Sequence, residues 1–193
     1  MINRPETPLA DHRINRDTFS YQPYYCEENI YLLCRDLASG GLRLQALFIT
    51  STSGACLFFN QTAAPPGKPM LWDYHVILLA GPPYRVFDFD TSLGFGVDAE
   101  EYLRRTFDPG APPRVLPLFR LLDGREFLAR FSTDRRHMRD GSGAWLQPPP
   151  SWDPPRGPAA ASDHELPRYI AMDEPEPGVI VNLQELHSLI GGT

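Results

Sequence analysis

Three residues of this chain stand out for the chemistry they could do together: Cys26, His75 and Asp88. Cys26 opens the segment CEENIYLLCRDLASGG (26–41). There Ile30, Leu33, Cys34 and Leu37 recur at helical spacing, and Gly40-Gly41 stops the pattern. A thiol at a helix N-terminus faces unpaired N–H groups and the positive end of the macrodipole, which favour thiolate. Glu27 and Glu28 oppose that effect, so a nucleophile here needs a neighbouring imidazolium. Taken alone, a free cysteine reads first as a small buried apolar residue. Cys34, on the apolar face of the same helix, and Cys56, inside an apolar strand, keep that reading.

The histidines differ in setting. His12 lies in a polar arm, His164 in a polar loop, and His187 on a terminal helix with no evident acidic partner; all three read as surface residues. His137, in DRRHM, is an alternative base. His75 interrupts MLWDYHVILLA (70–80), the strongest strand signal in the chain. Along it Asp73, His75, Ile77 and Leu79 share one face, and Trp72, Tyr74, Val76 and Leu78 the other. A buried imidazole needs hydrogen-bond partners, and on pattern alone a satisfied core histidine is the commoner outcome.

The next strand, YRVFDFDT (84–91), changes that balance. A hairpin closing symmetrically about Gly81-Pro82 pairs His75 with Asp88 and Asp73 with Asp90, unless a bulge breaks the register. Asp88 could then hold one imidazole nitrogen and leave the other free. That is the orienting role of the carboxylate in a Cys-His-Asp set. Asp73 and Asp90 would not comfortably face each other ionised, so one should turn away. Asp90-Thr91-Ser92 also suits a turn in which the Asp90 carboxylate bonds backbone N–H groups.

The elements that must position these residues follow from pattern and punctuation. Residues 1 to about 20 read as a loose polar arm. Apolar runs at 46–51 and 55–60 are of strand length, and AAPPGKP (63–69) is a loop. Three helices carry capping signals: Asp98 with Glu101, Asp123 with Glu126, and Asn182 with Glu185. A strand is expected around RVLPLF (114–119), with Pro117 marking an edge or a bulge. Residues 147–160 read as an extended proline-rich surface loop, with six prolines between 148 and 158. The sum is an α+β chain, one catalytic domain over 1–193, with helices around a mostly antiparallel sheet.

Composition narrows the function classes. With 18 basic and 24 acidic residues the net charge is −6, against a general nucleic-acid binder. No stretch approaches the ~20 apolar residues of a membrane helix, and the polar N-terminus has no signal-peptide core. Three cysteines, an odd number, predict reduced thiols and a cytoplasmic location, the nucleus being an alternative. The 21 prolines and 15 glycines predict short elements and many loops. Zinc-site spacing, a Walker loop and a dinucleotide glycine pattern are missing, and DGSGAW (140–145) lacks the glycine of a nucleophile elbow. No metal or cofactor is therefore expected.

The residues also spell a resemblance. Trp72-Asp73-Tyr74-His75-Val76 is similar to the WDYHV pentapeptide of the protein N-terminal glutamine amidohydrolases. YCEENIY (25–31), VFDFDT (86–91), FSTDRRHMRDGSGAW (131–145), PPP (148–150) and YIAMD (169–173) resemble further segments of that family in order. The likeness runs from about 21 to 190. Arg136, where a smaller polar residue is expected, and a lengthened proline-rich insert depart from the pattern. The resemblance implies Cys26 as nucleophile, His75 as general base and acid holding the thiolate, and Asp88 as its orienting carboxylate. It implies a papain- or transglutaminase-like fold with the nucleophile at a helix N-terminus. It also implies deamidation of N-terminal glutamine in proteins or peptides, feeding arginine addition and an N-degron pathway. Glu27, Trp72, Asp73 and Asp90 are the substrate-binding candidates, with Glu27 or backbone carbonyls considered for the α-ammonium. A monomer is expected. The rival readings are a related Cys-His-Asp acyltransferase or peptidase, and a non-catalytic module that presents its proline loop to partners.

Overall fold

The computed structural model describes residues 14–192. His12 and the first part of the N-terminal arm lie outside them. From Ile14 onward the arm is not loose. Asn15 caps a 3-10 turn at Arg16–Thr18, and Ile14, Phe19 and Tyr21 pack against the core.

In chain order the elements are α1 (Cys26–Leu37), β1 (Arg43–Thr50), β2 (Cys56–Phe58), β3 (Met70–Trp72), β4 (His75–Gly81), β5 (Arg85–Phe87) and β6 (Val97–Asp98). Then follow α2 (Ala99–Thr106), β7 (Leu118–Asp123), α3 (Gly124–Arg130), α4 (Leu166–Ile170), β8 (Val179–Asn182) and α5 (Leu183–Gly191). Six strands form one sheet in the order β6-β5-β4-β1-β7-β8, and β2 pairs with β3 separately. Every pairing is antiparallel. The class is α+β, an antiparallel sheet packed with helices.

β4 is buried along its whole length because both sheet faces are covered. Val76, Leu78 and Ala80 enter a core with Ile30, Leu33 and Cys34 of α1 and Phe127 of α3. Ile77 and Leu79 enter a second core with Tyr102 and Leu103 of α2 and Leu186 and Ile190 of α5. The alternation read for this strand therefore holds from His75 onward.

It does not extend back to 70. Residues 70–80 form two strands in two sheets, broken at Asp73-Tyr74. The Asp73 carboxylate accepts from the Tyr74 backbone N–H (2.8 Å), and Thr50 Oγ1 donates to the Asp73 carbonyl (2.5 Å). Local side-chain bonds thus replace the ladder at this peptide. The expected hairpin register is also corrected. Leu78 pairs with Phe87, Leu79 with Val86 and Ala80 with Arg85, a shift of two residues. The turn centres on Pro82-Pro83, and Gly81 fits because a Cβ there would lie 2.7 Å from the Tyr84 Cα.

The three capped helices start where expected. Only Asn182 and Glu185 complete a reciprocal capping box. Asp98 and Asp123 accept first-turn N–H groups, while Glu101 and Glu126 turn to Arg105 and Arg130 one turn on. The strand expected at 114–119 begins only at Leu118. Pro117 precedes it and marks no edge, since β7 lies between β1 and β8. The outer strand on that side is β8.

Two buried arginines organise the loops. Arg120 on β7 is fully buried, and burial lowers its proton affinity. It donates to the carbonyls of Tyr169 (3.0 Å), Glu174 (2.8 Å), Ala171 and Pro177, clamping α4 and the loop after it. Arg135 makes a bidentate pair with Glu28 of α1 (2.7 and 2.8 Å) and also donates to the Trp152 carbonyl (2.7 Å). Trp152 Nε1 returns a bond to Glu28 (2.8 Å). The proline-rich segment is irregular, as expected, but it is no simple surface loop. Pro150, Pro155 and Gly157 are buried, and Gly157 N–H bonds the Phe131 carbonyl (2.8 Å).

Replacing Arg120 by Met strands four carbonyls, and we expect a loss of at least about 3 kcal/mol in denaturant unfolding. Glu28→Gln keeps shape but leaves the Arg135 charge buried without its counter-ion. A loss of about 3–5 kcal/mol is expected by the same measurement.

Candidate active site

Cys26 is the first residue of α1. The chain enters that helix through a paired contact in which Gln22 N–H donates to Asn29 Oδ1 and Asn29 Nδ2 donates to the Gln22 carbonyl (both 2.9 Å). Tyr24 takes a left-handed φ of 70° and Tyr25 is fully buried. The backbone N–H of Val76, next in sequence to His75, acts to favour the Cys26 thiolate. On the other side, Glu27 Oε2 lies 3.7 Å from Sγ. Burial, and then the Glu27 carboxylate, push the thiol well above its ordinary range. The helix-start position thus does not by itself yield a thiolate. Cys34 and Cys56 are buried, their thiols pushed up to about 12 by burial.

His75 is the first residue of β4. Trp72 stacks on its ring (5.9 Å, 14°) and Phe58 meets it edge-on (5.5 Å, 83°). His75 Nε2 lies 2.8 Å from Asp88 Oδ1. The contact forms although the backbone register puts the two residues out of line. β5 ends at Phe87, and the bend after it is held by Asp90 N–H donating to Asp88 Oδ1 (2.9 Å). The turn carboxylate is thus that of Asp88, not Asp90. Tyr102 Oη donates to Asp88 Oδ2 (2.8 Å), and Gln61 Nε2 does so at 3.4 Å. Trp72 Nε1 fixes the Gln61 amide (3.3 Å). Burial works against the imidazolium, but the Asp88 charge and hydrogen bond outweigh it, so His75 is raised. Asp88 is lowered: burial opposes its charge, and His75 with the other donors prevails.

Cys26 and His75 line one pocket of about 390 Å³ with Trp72, Asp73 and Asp90. Asp90 Oδ1 accepts from Tyr21 Oη (2.6 Å), and burial raises its proton affinity. Glu27 sits fully buried beneath Tyr74 Oη (3.0 Å). A second wall carries His137 and His164, their rings stacked at 5.4 Å. His137 Nε2 lies 3.3 Å from Glu27 Oε1. His164 is therefore no surface residue. Its side chain is 9% exposed and lies 3.4 Å from Asp134, and burial lowers it. His187 does have an acid partner, Glu100 across from α2 (2.7 Å). Arg136 points to solvent and pairs with Asp134.

Ring and carboxylate atoms of His75, Asp88 and Asp90 lie within 4.8 Å of one another, the closest approach to a metal-binding set among the described residues. Both Asp88 oxygens already accept two donors each, so a cation would have to displace them. The sequence reading missed Tyr102, Gln61, Tyr21 and the second histidine wall. Tyr102 was legible only as an apolar-face residue of α2. Its hydroxyl's partner comes from another element.

Residues 21–190 match the family model described as N-terminal glutamine amidase. Protein N-terminal glutamine amidohydrolases are similar to this chain. The Bos taurus protein is 35% identical over 172 residues (84% of this chain, 82% of the relative). The Homo sapiens protein is 34% identical over 167 residues (82% and 80%). The Arabidopsis thaliana protein is 33% identical over 171 residues (80% and 76%). With Cys26, His75 and Asp88 all inside the matched span, the chain belongs to the N-terminal glutamine amidase family.

Proposed function

We propose that this chain is a thiol amidohydrolase that converts N-terminal glutamine of proteins or peptides to glutamate, releasing ammonia. The observation that carries the reading is one pocket lined by Cys26 and His75, with Asp88 on the Nε2 side of the imidazole, in a member of this family. A thiol at the start of a helix packed on the sheet that bears His75 also suits a papain- or transglutaminase-like arrangement. The product, an N-terminal glutamate, fits an N-degron route through arginine addition.

Asp88 occupies Nε2, which leaves Nδ1 to exchange protons with Cys26. Because the buried thiol holds its proton, His75 takes that proton as sulfur attacks the side-chain carbonyl carbon. A C–S bond forms, and the carbonyl oxygen gains charge at the start of α1, where the Cys26 N–H can donate. The C–N bond then breaks, the imidazolium protonates the leaving nitrogen, and ammonia departs from a thioester. Water attacks the thioester carbon with His75 again as base. The C–S bond breaks, sulfur recovers its proton, and glutamate is released.

Ammonia release from Gln-, Asn- and acetyl-Gln-initiated peptides tests the reading, with a mass gain of about 1 Da marking deamidation rather than peptide cleavage or transfer. Only the free Gln terminus should react; equal rates on acetyl-Gln would sink the assignment. Cys26→Ala or His75→Ala should lower turnover by about 10³-fold or more. The neutral imidazole is the base, and His75 titrates above its ordinary 6.5. Activity should therefore fall on the acid side, from a higher pH than an ordinary imidazole would give. Asp88→Asn removes the charge that raises His75 and leaves the burial that lowers it. The acid limb of kcat/KM should move to lower pH, while turnover drops at least about tenfold.

A further inference from the structure

Selectivity for a chain terminus requires something that recognises an α-ammonium ion, and the pocket limits the choice. Its charged lining consists of Asp73 and Asp90, and among the described residues no lysine or arginine lines it. Glu27 is fully buried, one oxygen accepting from Tyr74 Oη and the other facing His137. Asp90 is committed in part, through one of its two oxygens. Tyr21 Oη takes Oδ1 at 2.6 Å, and its carboxylate crowds Asp88 and His75 within 4.8 Å. Burial adds to that crowding by favouring its protonated form.

Asp73 differs in exposure and in its surroundings. It is solvent-exposed at the pocket, in the two-residue break between β3 and β4, directly before Tyr74 and His75. Its Oδ1 accepts from the Tyr74 N–H, and Thr50 Oγ1 anchors its carbonyl. The carboxylate is thus held in place, and Oδ2 has no hydrogen-bond partner among the described residues. Its charge bears on the Cys26 thiol, so the two lie in one electrostatic neighbourhood. In glutamine only Cα, Cβ and Cγ separate the α-nitrogen from the carbonyl carbon under attack.

Resting on the N-terminal glutamine reading, we propose that Asp73 is the specificity-determining residue that receives the substrate α-ammonium. A charge-assisted hydrogen bond at this site favours a free terminus and gives nothing to an acetylated or internal glutamine. The interruption of the strand at Asp73-Tyr74 then has a purpose. It turns one carboxylate of a strand sequence toward the mouth of the pocket, while the next residue but one supplies the base.

The test measures glycinamide and N-acetylglycinamide as competitive inhibitors of ammonia release from a Gln-initiated peptide. Wild-type protein should be inhibited by glycinamide far more strongly than by its acetylated form. Asp73→Asn keeps an Oδ1 acceptor for the Tyr74 N–H and removes only the charge. Its inhibition constant for glycinamide should rise about tenfold or more, with KM for the Gln peptide rising in parallel and kcat changing less. Asp90→Asn should raise the glycinamide inhibition constant far less than Asp73→Asn does. If Asp73→Asn retains the full preference for glycinamide, or if Asp90→Asn loses it instead, the assignment to Asp73 is overturned while the activity stands. No ammonia from any Gln-initiated peptide with wild-type protein would overturn the functional reading itself, and this inference with it.

Discussion

The contact between Glu28 and Arg135 holds together the parts of this molecule that no sheet hydrogen bond joins. Glu28 lies two residues after Cys26 on α1, and Arg135 lies two residues before His137 on the second wall of the pocket. Their bidentate pair is buried on both sides, so neither charge has water to fall back on. The remaining donors and acceptors are met by Trp152 Nε1 and by carbonyls of the proline-rich segment. One interaction therefore sets the first turn of the helix, the loop carrying His137, and the proline segment in a common frame. Arg135 adopts a left-handed φ of 63° to do so, a conformation that a residue with a Cβ takes only when its surroundings fix it.

Around Cys26 the electrostatics run against the usual picture of an activated thiol. The carboxylates of Glu27, Asp90 and Asp73 all bear on it, and all disfavour a thiolate. A helix start contributes fixed partial positive charge, but a full buried carboxylate at 3.7 Å exceeds it. Such a pocket keeps the Cys26 thiol protonated until a base acts on it. It is also hospitable to cations. Under the proposed activity, a substrate carrying an ammonium beside its scissile amide brings the charge that the pocket lacks, which would tie the chemistry of the thiol to the chemistry of a chain terminus.

Much of the architecture could be read from local signals, because local physics decided it. Cys26 at the head of α1, and Asp98, Asp123 and Asn182 at the heads of their helices, stand where capping and periodicity place them. The errors share a cause. Hydrophobic alternation ran through Asp73 without registering that its carboxylate bonds the next N–H and breaks the strand. Pro117 precedes the strand start, where an edge or a bulge was expected. Arg120, Arg135, His164 and His187 meet partners 30 to 107 residues away in sequence, among them Asp134 for His164 and Glu28 for Arg135. No window of sequence contains both ends of such a contact.

The His75–Asp88 contact shows how a correct pairing can survive a wrong register. A slip of two residues leaves every side chain on its original face, since the strand period is two. What changes is distance along the strand, and in a straight hairpin that change would separate the pair. β5 does not stay straight. It stops at Phe87, and the Asp88 carboxylate draws the Asp90 N–H to itself, so the chain folds back toward the head of β4. Tyr102 from α2 and Gln61 then close on the other carboxylate oxygen. The orientation of His75 is thus set by a turn and by two elements outside the hairpin. This is why the aspartate nearer the strand serves the imidazole, and why Asp90, one turn further on, is left to Tyr21.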